Sequence, residues 1–359
     1  MSSANLKEII MKILKTVDDP DLHRDLVSLN MVKGVEVEGD TVRLNIQLTT
    51  PACPLKSVIQ KDIESKIFEI VPEIKKVHIE WGAQVASGLF GENRNLVPGV
   101  QNIVAVGSGT GGVGKSTVAA NLAVSLVKTG ATVGLLDADI YGPNIPLMMG
   151  IRNRPEVIAD RLQPISNYGV KVMSMGFLLP EDTPVIWRGP MLNSALKQFF
   201  GDVEWGALDY LLVDLPPGTG DVQLSLVQLV PVTGAVMVTT PQEVALQDVR
   251  KAIQMFRQTK VEVLGIIENM SYFICPHCSE RTDIFAYGGG SNAAEKLSLP
   301  FLGEIPLDTA IRKAGDSGMP VSVSHPDSPI AKTFLGVAQN LAARISVRNF
   351  ESHEALSKS

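Results

Sequence analysis

A glycine-rich loop that ends in lysine, serine and threonine is the first feature of this sequence that could carry chemistry. Residues 109–117 read GTGGVGKST and match the pattern G-x-x-x-x-G-K-[ST]. Glycines let backbone N–H groups turn toward phosphates, and a following helix adds positive potential at its first turn. Lys115 is therefore expected at the β- and γ-phosphates of ATP, and Ser116 or Thr117 at Mg²⁺. The predicted nucleotide-binding residues of this loop are Gly109, Thr110, Gly111, Gly112, Val113, Gly114, Lys115, Ser116 and Thr117.

Three aspartates follow two apolar runs that are typical of buried strands. Asp137 and Asp139 come after one run, and Asp214 comes after the other. Side chains at the carboxyl ends of strands face the crevice in which ligands of open α/β sheets bind. Asp214 suits the ligand shell of Mg²⁺, whereas Asp137 and Asp139 suit Mg²⁺ and an attacking water. With Lys115 they form the predicted catalytic set, although any single aspartate could instead be a loop carboxylate or a helix cap.

A CPHC stretch brings two thiols close together in the chain. Cys275 and Cys278 have the spacing that clasps one metal ion or one edge of an iron–sulfur cluster. A single pair supplies two ligands, whereas a zinc site or a [4Fe–4S] cluster takes four, and a two-fold dimer would provide them. A surface redox pair and half of a zinc knuckle remain open as interpretations of the spacing alone.

A third cysteine lies in the first part of the chain. Cys53 precedes Pro54 at the start of a predicted helix. The positive end of that helix is expected to lower the pKa of the Cys53 thiol and to favour the thiolate. The alternative is a small, buried apolar residue.

The composition limits the classes of partner. The formal net charge is −6, which argues against non-specific nucleic-acid binding. Three cysteines do not make a disulfide framework, so a reducing, cytoplasmic compartment is expected. Charged residues interrupt the first apolar stretch, which is unlike a signal peptide, and 222–238 is too polar for a membrane span. The sequence therefore predicts no nucleic-acid partner and no membrane partner.

Alternating apolar strands and helices fill the larger part of the chain. The predicted strands are Ile103–Val106, Thr132–Leu136, Val170–Met173, Tyr210–Val213, Ala235–Thr239 and Val263–Ile267. The predicted helices include Lys115–Thr129, Glu243–Gln258 and Ala331–Ile345. Short, nearly continuous apolar strands joined by helices predict an α/β fold, with a mostly parallel sheet covered by helices on both faces.

The first part of the chain follows a different pattern. A helix over Leu6–Val17, a hairpin around Gly39, a helix from Pro54 and a last strand over Lys75–Trp81 predict a small α+β domain. The domain organisation is therefore predicted as a small domain over 1–82, a linker over 83–100, a P-loop domain over 101–346 and a flexible tail over 347–359.

Taken together, these motifs resemble the Mrp/ApbC family of iron–sulfur cluster carrier ATPases. This family belongs to the deviant Walker A group, with the MinD, ParA and nitrogenase iron-protein ATPases. The stretches that carry the resemblance are GSGTGGVGKST, LLDADIYGPNIP, VIWRGPM, LLVDLPPGTGD, VTTPQEVALQDVRKA, ENMSYFICPHC and IPLDTAIRKAGDSGMPV. Residues 1–82, with TTPACP, resemble the iron–sulfur assembly domain often fused in front of such ATPases.

The resemblance implies ligands and partners for this chain. It implies ATP with Mg²⁺ in the loop, Asn269 at the adenine base, and a [4Fe–4S] cluster shared by Cys275 and Cys278 of two subunits. It also implies a homodimer that receives its cluster from an assembly scaffold and passes it to apo iron–sulfur proteins. Cys53 would then be a transient ligand or a transfer station.

Thr110 departs from the family pattern. The family usually has lysine at this position, where it is understood to contact the nucleotide of the partner subunit. Threonine is uncharged and short, so binding of ATP is expected to survive while hydrolysis becomes slow or absent. Arg188 is a candidate for compensation.

Three other functions compete with the carrier interpretation. A non-hydrolysing nucleotide-dependent scaffold would explain Thr110. A MinD- or ParA-like positioning ATPase would need a basic membrane-binding helix or a DNA-binding surface, which the tail after Arg348 does not offer. A reductase like the nitrogenase iron protein would have its cysteines far apart in sequence, unlike Cys275 and Cys278.

Overall fold

The fold is described from a computed structural model of the chain. The structure describes residues 3–88, 97–178 and 189–357. The chain divides into two compact units, one formed by Met1–Ala86 with Ala342–Ser359 and the other by Ser87–Leu341. Within the described ranges, we find no helix with the length and apolar character needed to cross a membrane.

The first unit contains the small α+β fold that the sequence predicts. Its elements are α1 (Ser3–Leu14), β1 (Asp18–Asp19), β2 (Arg24–Asp25), β3 (Val32–Glu38), β4 (Thr41–Leu48), α2 (Lys56–Ile70) and β5 (Lys76–Ala83). Strand β4 pairs antiparallel with β3 and parallel with β5. Every second residue of β4 is buried, because alternate side chains of a strand point to the same face of the sheet. That face packs in one core with the buried isoleucines Ile59, Ile63 and Ile67 of α2.

The second unit is an α/β fold with many more elements. Its strands are β6 (Val100–Ser108), β7 (Val133–Asp137), β8 (Val157–Ile158), β9 (Arg161–Leu162), β10 (Ile165–Asn167), β11 (Val170–Ser174), β12 (Leu208–Asp214), β13 (Gly234–Thr239), β14 (Val263–Glu268), β15 (Phe273–Ile274), β16 (Arg281–Thr282) and β17 (Phe301–Glu304). Its helices are α3 (Lys115–Lys128), α4 (Ile145–Met148), α5 (Gly189–Gly201), α6 (Asp221–Leu229), α7 (Glu243–Gln258), α8 (Gly289–Leu297), α9 (Thr309–Asp316), α10 (Val321–Ser324) and α11 (Pro329–Ser357), the last of which continues into the first unit.

Eight of these strands form one sheet in the order β10-β11-β7-β12-β6-β13-β14-β17. All neighbouring pairs are parallel except β10 with β11. Every residue of β7, β13 and β14 is buried, which means that both faces of the central sheet are covered. The predicted mostly parallel α/β fold is confirmed. The parallel order also places the carboxyl ends of β6, β7, β12 and β14 along one edge.

The chain end differs from the flexible tail predicted from its polar composition. Helix α11 runs to Ser357, so 347–357 is helical. The buried Asn349 donates from Nδ2 to the backbone oxygen of Ala86 at 3.0 Å. Arg24 lies 5.5 Å from the ring centroid of Phe350 and 3.6 Å from a carboxylate oxygen of Glu354. These contacts lie within the first unit, and a sequence pattern does not reveal long-range partners of this kind.

Candidate functional site

The glycine-rich loop joins β6 to α3 at the edge where the parallel strands end. Gly112 and Gly114 have left-handed φ angles of 80° and 79°, which favour glycine. A Cβ on Gly114 would lie 2.3 Å from Nδ2 of Asn269, and one on Gly109 would lie 2.2 Å from backbone atoms at Asp248 and Val249. A Cβ on Gly112 would meet no atom within 4 Å. The loop is therefore closely packed at Gly109 and Gly114, and it is open on the side of Gly112, which we call its front.

A buried ion pair lies directly under the loop. Nζ of Lys115 is 2.5 Å from Oδ1 of Asp214, and the two side chains are 6% and 0% exposed. Burial raises the pKa of Asp214, and the positive charge of Lys115 opposes that rise. Oδ2 of Asp214 is buried and has no hydrogen-bond partner among the described residues. A buried carboxylate oxygen without a donor is chemically suited to a cation.

Asp137 lies beside Asp214 in register on the neighbouring strand, but its oxygens are already occupied. They accept hydrogen bonds from the hydroxyl of Ser174 at 3.0 Å and from the backbone N–H groups of Asp139 at 3.1 Å and Ile145 at 3.2 Å. Burial and the nearby charge of Asp214 both raise the pKa of Asp137. In this structure, Asp137 holds the chain that follows β7 in place.

Asp139 and Thr110 line the pocket that the loop encloses, which has a volume of about 540 Å³. Oδ1 of Asp139 accepts from the N–H groups of Tyr141 and Gly142, at 3.1 and 3.3 Å. The carbonyl oxygen of Thr110 accepts from the Ser108 hydroxyl at 3.0 Å. Arg188, the candidate for compensation, lies outside the described residues.

A second cleft adjoins the phosphate pocket. Its volume is about 710 Å³, and Gly114, Thr117 and Met148 line both spaces. Asn269, after β14, lines this cleft and donates from Nδ2 to the carbonyl oxygen of Val113 at 2.9 Å. The remaining wall comes mainly from a segment that sequence reasoning did not assign to the site, including Pro306, Leu307, Asp308, Ile311 and Arg312. These residues follow β17, which the sequence pattern did not predict, so their place at the carboxyl end of a strand was not visible.

The CPHC stretch forms the tip of a small hairpin. Strand β15 leads into Cys275, and β16 returns from it, with Ser279 in the left-handed φ region at 60°. The N–H of Cys275 donates to the Glu280 carbonyl at 2.9 Å, and the N–H of Ser279 donates to the Cys275 carbonyl at 2.8 Å. Backbone N–H groups of Cys278 and His277 lower the pKa of the Cys275 thiol.

The hairpin offers two thiols and no complete metal site. Cys278 is exposed and Cys275 is partly exposed. Across the described ranges, no three His, Cys, Asp or Glu side chains come close enough together to hold a metal ion. The half zinc knuckle that the spacing left open therefore gains no further ligand among the described residues.

The expectation that a helix end activates Cys53 is wrong. Helix α2 begins at Lys56 rather than at Pro54, and the Cys53 side chain is partly buried. Burial raises the pKa of Cys53, the negative charges of Asp19 and Asp21 add to the rise, and the N–H groups of Leu55 and Lys56 only partly offset it. The pKa of the Cys53 thiol is therefore raised rather than lowered.

A comparison of alkylation rates tests this assignment. Because the thiolate is the nucleophile, a raised pKa leaves less reactive Cys53 at a given pH, and its pH–rate profile moves to higher pH. We expect iodoacetamide to modify Cys53 at least about 10-fold more slowly than the exposed Cys278 at pH 8, measured by peptide mass spectrometry. Equal rates in the native protein would contradict a raised pKa at Cys53, and rates in urea provide the unfolded reference.

Comparisons with known proteins agree with this geometry. A protein-family model described as NUBPL iron-transfer P-loop NTPase matches residues 99–342, and one described as iron–sulfur cluster assembly protein matches residues 7–81. The iron–sulfur cluster carrier protein of Synechocystis sp. is 49% identical over 348 residues, covering 95% of this chain and 98% of that protein. The protein of the same description from Deinococcus radiodurans is 51% identical over 346 residues, covering 96% and 97%.

Solved structures resemble the second unit. A nucleotide-binding protein from Archaeoglobus fulgidus, in complex with ADP, is 44% identical with a TM-score of 0.57, covering 66% of this chain and 92% of that one. The cell division ATPase MinD of Pyrococcus furiosus is 24% identical with a TM-score of 0.52, covering 67% and 98%. The second similarity supports the fold alone.

Proposed function

This chain belongs to the family of NUBPL-type iron-transfer P-loop NTPases, and from that premise we propose that it is an ATP-binding carrier of a [4Fe–4S] cluster. In this proposal two copies of the chain hold the cluster between them and release it to apo-proteins. The observation that carries the proposal is the cysteine hairpin of the P-loop unit, which presents two thiols and finds no third ligand in the part of the chain that the structure describes.

The number of ligands supports a shared cluster. A [4Fe–4S] cluster takes four cysteine thiolates, whereas the hairpin of one chain offers Cys275 and Cys278. A two-fold axis beside the hairpin would supply the other pair from the same residues of a second copy. An exposed cluster that each copy holds through two thiolates is suited to transfer. Each copy has to break only half of the bonds to the cluster when it is released.

The loop and its aspartate fit a nucleotide with Mg²⁺. The open front of the loop can direct backbone N–H groups at phosphates, and the adjoining cleft, which Asn269 lines, can take the base. The unpartnered Oδ2 of Asp214 and the Ser116 hydroxyl would hold Mg²⁺, which neutralises phosphate charge when bound. Lys115 would then exchange part of its contact with Asp214 for the phosphate oxygens.

Asp139 and Asp137 were both predicted to be catalytic, and we propose different roles for them. Asp139 lines the phosphate pocket and remains a candidate for the attacking water. Asp137 is engaged by three donors, so we assign it to positioning of the segment that carries Asp139. Hydrolysis is proposed to be slow, because Thr110 supplies no positive charge to a neighbouring nucleotide.

The cluster donor is proposed to be an assembly scaffold, and the acceptors to be apo iron–sulfur proteins. The cytoplasmic location expected from the sequence stays a prediction. A non-hydrolysing scaffold that carries no cluster is the second candidate, and Thr110 is the observation that favours it. Metal content separates these two functions, because only the carrier binds iron and sulfide at the hairpin.

Anaerobic reconstitution with iron and sulfide tests the proposal. We expect about four iron and four acid-labile sulfide ions per dimer in the wild type, because the two hairpins complete one cluster. Replacing both hairpin cysteines (Cys275→Ser with Cys278→Ser) should abolish binding, whereas Cys53→Ser, the matched control, should keep it. Chemical analysis of iron and sulfide gives the stoichiometry, and sedimentation gives the mass of the assembly that holds it.

Other results would contradict a cluster held at the hairpin. A wild-type chain that binds no cluster under these conditions would favour the scaffold. A cluster that survives in the double-serine variant would place its ligands elsewhere in the chain. Retention by the double variant together with loss in Cys53→Ser would move the site to the first unit.

A further inference from the structure

The cysteine hairpin is connected to the base cleft through two short segments of the second unit. One segment follows β14, beginning with Asn269, and the other follows β17 and includes Leu307. Both residues line the cleft of about 710 Å³. Strand β15, which leads into Cys275, begins at Phe273, four residues after Asn269.

Backbone hydrogen bonds join these two segments along their length. The N–H of Ile305 donates to the Glu268 carbonyl at 2.8 Å, and the N–H of Ser271 donates back to Ile305 at 2.9 Å. The N–H of Leu307 donates to the Tyr272 carbonyl at 2.7 Å, and a parallel bridge pairs Leu307 with Phe273. A displacement of the cleft wall at Leu307 would therefore act directly on the first residue of β15.

Arg281, on the return strand β16, attaches the other side of the hairpin to the same two segments. Its guanidinium carbon lies 4.1 Å from the ring centroid of Tyr272 and 4.9 Å from that of Tyr287. Its Nη1 is 3.4 Å from Oε1 of Glu304, and its Nε is 3.1 Å from Asp283. One side chain thus contacts Tyr272 in the segment after β14, Glu304 at the end of β17, and Asp283 in the chain that leaves the hairpin.

A buried carboxylate extends these contacts toward the sheet. The Ser271 hydroxyl is 2.6 Å from Oε1 of Glu268 and 3.2 Å from Oε2 of Glu304. A hydroxyl has one hydrogen, so it donates to one of these carboxylates at a time, and the shorter distance favours Glu268. The other oxygen of Glu268 accepts from the N–H of Gly290 at the start of α8.

A contribution to folding stability does not explain the contacts of Arg281. The ion pairs of Arg281 are solvent-exposed, and exposed pairs contribute little to the free energy of folding. A planar guanidinium between two aromatic rings does fix orientation, and lysine cannot reproduce that geometry. We propose that Arg281 is a positioning residue that fixes the cysteine hairpin to residues adjoining the walls of the base cleft, so that nucleotide binding changes how Cys275 and Cys278 are presented. The inference rests on the proposed function for its purpose, since the hairpin would be the cluster site.

A cluster-free measurement tests the inference separately from cluster binding. Iodoacetamide modifies Cys275 and Cys278 in the apo-protein with and without Mg²⁺ and ATP, and peptide mass spectrometry gives the rate at each cysteine. We expect ATP to change the rate at Cys278 by at least about fivefold in the wild type, the lower end of typical coupling between sites. Cys53, in the first unit, is the internal reference and should not respond.

The variants distinguish positioning from a structural role. Arg281→Gln and Arg281→Lys should both reduce the effect of ATP to below about twofold, while ATP affinity and the melting temperature stay as in the wild type. Glu304→Gln breaks one ion pair but leaves the aromatic contacts, so it should reduce the effect partly. Arg250→Gln removes a surface ion pair with Glu243 on α7 and is the matched control, with the wild-type response expected.

Three results would overturn the inference. ATP could leave the thiol rates of the wild type unchanged, or its full effect could persist in both Arg281 variants. A loss of ATP affinity in Arg281→Gln would instead make Arg281 part of the nucleotide site. None of these results depends on iron. A failed cluster reconstitution would therefore contradict the proposed function without deciding whether Arg281 couples the nucleotide to the hairpin.

Discussion

Replacing Lys115 by methionine is expected to reduce ATP turnover by about 10²–10³-fold, because the variant loses a charged donor to the transferred phosphoryl group. It should also destabilise the nucleotide-free protein. Methionine matches the length of the lysine stem but leaves the buried carboxylate of Asp214 without its counter-charge. Removing one partner of a buried ion pair costs about 3–5 kcal/mol, so the urea midpoint of the second unit should fall.

A double variant separates these two effects. In Lys115→Met with Asp214→Asn, the buried group at 214 is a neutral amide and needs no counter-charge, so most of the lost stability should return. Turnover should stay low, because the phosphate-binding ammonium and the proposed Mg²⁺ ligand are both missing. Urea unfolding followed by tryptophan fluorescence measures stability, and phosphate release measures turnover.

Two outcomes would contradict this account of the ion pair. If Lys115→Met unfolds at the wild-type urea concentration, the contact of 2.5 Å contributes nothing to the folded state in solution. If the double variant is less stable than Lys115→Met, the 214 carboxylate has partners other than Lys115. Asp209→Asn, at the amino-terminal half of the same strand, is a control for changes in strand charge.

Much of the second unit could be predicted from its sequence because its strands are short, apolar and bounded by glycine or aspartate. The helix Glu243–Gln258 agrees with the prediction at both ends, and the central strands differ by a few residues. The edge strand Phe301–Glu304 was missed. Four residues with two polar or small members give little periodicity, and their identity as a strand depends on pairing with β14.

Local sequence patterns identified residues of the site but not the contacts between them. The loop motif and the aspartates predicted one nucleotide site, but the direct contact between Lys115 and Asp214 joins residues 99 positions apart. Asp137 was expected to be catalytic, but it accepts from two nearby N–H groups and from the hydroxyl of Ser174, 37 positions away, which meets it only in the fold. Cys53 shows the same limit, since its helix-end position suggested a thiolate and its burial, which no pattern states, reverses the sign of the pKa shift.

Arg281 was not singled out at all from the sequence. An arginine three residues after a CPHC stretch looks like an ordinary surface charge of a polar hairpin. Its partners come from three separate stretches, and only their meeting in space gives the residue a function to test. Motifs identify the groups that react, while the groups that orient them depend on tertiary contacts.

Thr110→Lys is expected to raise ATP turnover by about 10²-fold or more, because a positive charge at the transferred phosphoryl group stabilises the transition state. Thr110 is partly exposed and lines the phosphate pocket of the loop. Thr110→Met is the matched control, since it adds comparable length without charge and should keep the slow wild-type rate.

The concentration dependence of the rate shows which nucleotide the new lysine reaches. If it acts on the ATP of a second copy, the specific activity of Thr110→Lys should rise with protein concentration and reach a plateau as dimers form, whereas action on its own ATP gives a constant value. Adding Lys115→Met should abolish the gain, because the loop lysine is needed in either case. Equal turnover in Thr110→Lys and the wild type would mean that threonine does not limit hydrolysis, and the slow-ATPase part of the proposed function would be wrong. A plateau that appears together with the gain would place the phosphate pocket at an interface between two copies, as a carrier that works as a dimer requires.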